Sequence, residues 1–89
     1  MARYVWSGFE ETQLTAKSVE AETLLDMGMA YSTGRDVETD LVAAHKWFNL
    51  ASLKGSSRAR TYRMEIATEL SRNDLREAQR QAREWLRRH

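Results

Sequence analysis

Residues 28–59 read GMAYSTGRDVETDLVAAHKWFNLASLKGSSRA, and the spacing of small and aromatic residues in this stretch decides the fold. Ahead of Gly34 the pattern is helical, with Gly28 and Tyr31 on one face. From Asp40 it is helical again, with Ala44, Trp47, Phe48 and Ala51 at i, i+3, i+4 and i+7. Gly34 between them supplies the left-handed residue that ends a helix, and Asp40 is a helix N-cap. Two helices that meet through small residues across a tight turn form an αα-hairpin. At these spacings none of the residues does acid–base, nucleophilic or metal chemistry. The stretch describes packing, and packing points to a scaffold.

Working outward, the spacing predicts a helix from about Val19 to Ser32, capped by Ser18, with Glu20 and Glu22 at the positive end of its dipole. Its buried stripe is Leu24, Met27, Gly28 and Tyr31. Glycine inside a helix costs about 1 kcal/mol relative to alanine, so Gly28 implies close approach of a neighbour. Arg35 to Thr39 form the turn, anchored by Val37. The second helix, Leu41 to Leu53, ends at Gly55. Ser56 or Ser57 caps a third helix that reaches about Leu70, with Ala59, Tyr62, Ile66, Ala67 and Leu70 inward. Ser71 and Asp74 then form a near capping box for a last helix to about Arg87, striped by Leu75, Ala78, Ala82, Trp85 and Leu86. Connections this short imply that successive helices pack antiparallel. In residues 1–17, Tyr4, Val5, Trp6 and Phe9 suit a segment docked on the helices, while Ser7-Gly8 interrupts any regular element.

Composition agrees with one small all-α domain. The 89 residues are 42% hydrophobic and 30% charged, too apolar for a disordered tail. No apolar run approaches the roughly 20 residues that span a bilayer. Met1 to Phe9 lacks the long apolar core and cleavage site of a signal peptide. With no cysteine there is no disulfide, thiolate or zinc-ribbon chemistry, and with no proline long helices are uninterrupted. A cytoplasmic address is the expectation. The net charge of +1 hides a division: residues 1–55 hold five basic and eight acidic side chains, residues 56–89 nine arginines and five acids.

In order, Gly28, Tyr31, Gly34, Val37, Asp40, Ala44, Trp47, Phe48, Ala51, Gly55 and Ala59 resemble the Sel-1-like repeat, a relative of the tetratricopeptide repeat. Three positions depart from that pattern: Met27 stands for Leu, Asp36 for the second loop glycine and Ser52 for the second alanine. Asp tolerates a left-handed conformation better than most residues, so the loop should survive the exchange. The resemblance implies a short solenoid of about four main helices. Residues 18–89 would form it, with one full repeat at 18–55, a closing helical pair at 56–89, and residues 1–17 as an N-terminal cap. The stretch Glu77 to Trp85 is similar to the helix that often follows the last repeat. The resemblance also implies a protein–protein adaptor with no catalytic residue, cofactor or metal, whose partner binds on a concave face. Helical repeats usually need about three units to be stable, so either Trp6 and Phe9 act as a cap or another subunit supplies the missing face, and a homodimer is the expectation.

Against that background the chemically capable residues carry little. His45, without a second His or Cys or a carboxylate at i+4, reads as a solvated helix histidine rather than a metal ligand. His89, at the terminus, is expected to be disordered. Asp36, Glu38 and Asp40 alternate like a cation loop but lack a distal bidentate Glu. Gly34-Arg35-Asp36 is no phosphate loop. Trp47-Phe48 suits a core better than a ligand-stacking platform. Arg72, Arg76, Arg80, Arg83 and Arg87 are the exception, forming one stripe on the last helix away from its apolar face. The stripe admits three readings. It is a solvated face neutralised by Glu77 and Glu84, with Glu84 paired to Arg88; a surface for an acidic protein, including the acidic half of a second copy; or a nucleic-acid contact in a regulatory protein. The reading as a whole is a non-catalytic protein- or peptide-binding module, the nucleic-acid-associated protein being the alternative.

Overall fold

A computed structural model describes residues 20–89, and in these residues the chain is four helices with no strand. They are α1 (Ala21–Thr33), α2 (Leu41–Leu53), α3 (Ser57–Ala67) and α4 (Arg72–Arg88). The proposed role of residues 1–17 and the Ser18 cap lie outside the described residues. Glu20 occupies the N-cap position of α1 and makes no side-chain cap bond. The other three starts follow the sequence. The Asp40 carboxylate accepts from the Ala43 N–H, the Ser56 hydroxyl from Ala59 and the Ser71 hydroxyl from Asp74, each at 3.0 Å.

Helix ends are set by left-handed residues and by tightened turns. Gly34 has φ +78°, and the N–H groups of Gly34 and Arg35 both bond to the Ala30 carbonyl. Asp36, at the position where the repeat pattern has glycine, does adopt φ +65°. Gly55 follows α2 at φ +108°. α3 stops at Ala67, three residues short of the expected Leu70. The N–H groups of Thr68, Glu69 and Leu70 reach back three residues, to Glu65, Ile66 and Ala67, and wind the chain into a turn. Leu70 still packs half-buried against the core.

α2 is the hub. α1, α3 and α4 each pack on it, whereas α3 and α4 touch each other only marginally. After the turn at 68–71, α4 packs chiefly on α2 and only marginally on α3. Trp85 draws it there, meeting Trp47 edge to face with ring centroids 5.8 Å apart. On another side of α2, Phe48 stacks on Tyr62 of α3 at 5.4 Å. A Cβ on Gly28 would lie 2.4 Å from the Phe48 ring, so the close approach at Gly28 is to this side chain.

Because α2 is covered by three helices, burial spreads beyond the expected stripe. Ala44, Trp47, Phe48 and Ala51 are buried, joined by Leu50 and by His45 and Lys46; α1 adds Leu25 and Ala30 to Leu24, Met27 and Gly28. Tyr31 and Val37 are half-buried at the margin. On α4, by contrast, only Ala78, Ala82 and Trp85 are buried, and of these Ala82 and Trp85 join the core cluster. Leu75 is half-buried, and Leu86, expected in the apolar stripe, is 41% exposed, with none of the other described helices over that flank.

Candidate functional site

The outward face of α4 carries the arginines. Ser71 caps the helix start, and Arg87 and Arg88 occupy the last turn, where the dipole favours cations. Arg72, Arg76, Arg80, Arg83 and Arg87 are all exposed, turned away from the side that packs on Trp47. Two of them are tied along the helix. Arg80 donates to both carboxylate oxygens of Glu77, at 3.1 and 2.8 Å, and Gln81 donates to the same carboxylate at 2.8 Å. These bonds from Arg80 and Gln81 pull the Glu77 carboxyl down to about 2 and hold the Arg80 guanidinium above its ordinary value. Glu84 pairs with Arg87, not with Arg88 as the i, i+4 spacing suggested. Arg72, Arg76 and Arg83 make no ion pair among the described residues.

The same face borders two open depressions. One, of about 240 Å³, is lined by Lys46 from α2 and by Arg80, Gln81, Glu84, Trp85 and Arg88. The other lies between Arg80, Arg83, Glu84 and Arg87. Lys46 and Gln81 escaped the sequence reading, which had Arg88 only as a partner for Glu84. Arg88 falls off the stripe by a quarter turn or more, and Lys46 reaches the depression only because α4 docks on α2. The Lys46 ammonium sits 4.3 Å from the centroid of the Trp47 ring, which makes the burial of its stem tolerable.

The remaining candidates resolve into packing. Trp47 and Phe48 are 1% and 0% exposed, which removes them as a stacking platform. His45 is buried, not solvated. Its Nδ1 has no hydrogen-bond partner among the described residues, and burial, helped by the nearby Arg63 charge, holds its pKa below the ordinary histidine value. Arg63 itself donates to the Asn49 side-chain oxygen at 2.8 Å and to the Ser52 hydroxyl at 3.2 Å, joining α3 to α2. The His89 ring stacks on that of Trp85, with centroids 4.8 Å apart. Asp40 is spent as a cap, and among the described residues no three His, Cys, Asp or Glu side chains converge on a metal position. No described helix is long and apolar enough to cross a membrane.

Of the eleven residues of the repeat pattern, Gly28, Ala44, Trp47, Phe48, Ala51 and Ala59 come together in the interior. Tyr31 and Val37 line its edge, and Gly34, Asp40 and Gly55 set the chain reversals. None of the eleven belongs to the arginine face. In comparisons with known proteins, no family model, no curated protein and no solved structure matches the chain.

Proposed function

We propose that the chain is a non-catalytic adaptor module of the Sel-1-like repeat type, acting in the cytoplasm and binding a protein or peptide partner through α4. One observation carries the reading. The pattern residues are consumed in packing and chain reversal, while Arg76 and Arg83 stand exposed, with no ion pair among the described residues, on a helix anchored from behind by Trp85. Guanidinium groups in that setting suit carboxylates, which they bind in forked pairs. Nucleic acid is disfavoured by the burial of Trp85, since single strands are held by stacking on exposed aromatic rings.

Selection of a displayed random-peptide library against the immobilised chain tests this. Acidic sequences should be enriched, and their binding should fall at least about tenfold in Arg76→Glu with Arg83→Glu, roughly the 1.4 kcal/mol of one lost charge-assisted contact. Enrichment of no sequence class, or binding untouched by the double substitution, defeats the proposal. Tighter binding of a short oligonucleotide than of any peptide at moderate salt would put nucleic acid in its place.

A further inference from the structure

The described residues are electrically divided, and the division follows the fold. Residues 20–40, which are α1, its cap and its turn, hold six acidic side chains and one arginine. α4 holds six arginines and three acids. Both elements pack on α2, yet they touch each other only marginally, so the acidic and basic faces lie on different flanks of the molecule.

The charges on each face are also spread along the chain rather than clustered at one point. On α4, Arg76, Arg80, Arg83 and Arg87 follow one another in steps of four, three and four, a line about 17 Å long at the helical rise. On α1, Glu22 and Asp26 stand one turn apart, and the chain beyond the helix carries Asp36 and Glu38 in its turn, while Met29 between them packs against the core. Glu22 and Glu38 make no ion pair among the described residues; Arg58 of α3 lies near enough to Glu22 and Asp26 to offset part of their charge, but Glu38 stands clear. From these observations we infer that the partner of the α4 face is a second copy of the chain, docked head to tail so that α4 of one lies along α1 and the turn of the next. The inference rests on the reading of α4 as a protein-binding face and names the occupant.

Two properties follow from the geometry. A contact between unlike faces leaves one of each unused, so association is heterologous and extends beyond a two-fold dimer unless it closes into a ring. A contact along single helices also falls short of the roughly 1,200–2,000 Å² of stable interfaces, so it is weak and held chiefly by charge. Exposed charges are screened over about 10 Å at 0.1 M salt, which makes the association sensitive to ionic strength.

Sedimentation velocity on the full chain across a wide concentration range, at low and high salt, is the test. The wild-type mass should rise with concentration at low salt and return to the monomer at high salt. Arg76→Glu with Arg83→Glu, and separately Glu22→Lys with Glu38→Lys, should each remain monomeric while keeping wild-type helical circular dichroism, because all four residues are exposed. Mixing the two variants should restore association, since each supplies the face the other has lost. A wild-type chain that is monomeric throughout, or an associating wild type whose reversed variants do not rescue each other, overturns the inference. If such a monomer still binds acidic peptides through α4, the proposed function stands and only the identity of the partner is refuted.

Discussion

Gly28 shows how one missing side chain organises two helices. The Phe48 ring occupies the place where its Cβ would be, and that ring is fully buried and stacked on Tyr62, so it has little room to yield. At an open helix position alanine would be better than glycine by about 1 kcal/mol. Here Gly28→Val should instead cost the 1–3 kcal/mol typical of overpacking, and Gly28→Ala should fail to stabilise. Denaturant melts check both, and a Phe48→Leu background should shrink the penalty, because the two sites are in contact and not additive. His45 supplies a prediction of a different kind. Its pKa is lowered in the folded chain by burial and by Arg63, so below pH 6.5 the unfolded chain binds more protons than the folded one. Stability contributed by neutral His45 is complete above pH 6.5 and is lost as the pH falls from there toward the lowered folded value. His45→Gln should flatten that slope in melts between pH 7 and 5, and an unchanged slope would show that His45 is not its source. The residues whose role is conformational were legible: Gly34, Asp36, Asp40 and Gly55 each have one backbone duty, and the local sequence states it. His45 and Lys46 were not legible. Nothing beside them in the chain tells that a third helix will cover the flank of α2.

Among the elements, α4 is the least secured. Among the described residues it rests chiefly on α2, through Ala82 and Trp85, with a Ser71 cap at its start. Ser71→Ala should therefore cost about 1 kcal/mol, the usual loss when an N-cap oxygen is removed. Trp85→Ala should cost about 3–5 kcal/mol and free the helix from Trp47. Hydrogen exchange can tell the two apart: the Trp85 variant should lose protection along 72–88 before α1 and α2 lose theirs. Equal loss in all four helices would mean that α4 has no opening of its own. This element also marks where sequence reasoning ran out. Its caps, length and two-faced pattern could be read from spacing alone, because they follow from periodicity within one helix. Which helix it packs against could not. Leu86 has the same period as Ala82 and Trp85, yet it stays exposed because, among the described helices, only α2 packs closely on α4. The ion pairs were half legible, since Glu84 has Arg87 and Arg88 within reach at i+3 and i+4 and only side-chain geometry selects Arg87.

At the scale of the whole molecule, topology makes a statement about rates. α1 with α2 and α2 with α3 are neighbours in the chain, so the pairing of α2 with α4 is the close helix contact that must bridge another element. Chains rich in local contacts fold in microseconds to milliseconds, and the most distant pairing should form last. The chain has no proline, so no step of tens to hundreds of seconds from prolyl isomerisation can appear. Stopped-flow refolding should thus be fast and free of a slow phase. Because Trp47 and Trp85 meet only when α4 docks, tryptophan fluorescence reports that last step when Trp6 is replaced by Phe. Gly28→Val, which damages the early pair, should slow folding, whereas a mild change at the late contact, Trp85→Phe, should mainly speed unfolding. The reverse assignment, with Trp85→Phe slowing folding and Gly28→Val acting on unfolding, would mean that α4 docks first and that α2 gathers its helices in an order opposite to their order in the chain.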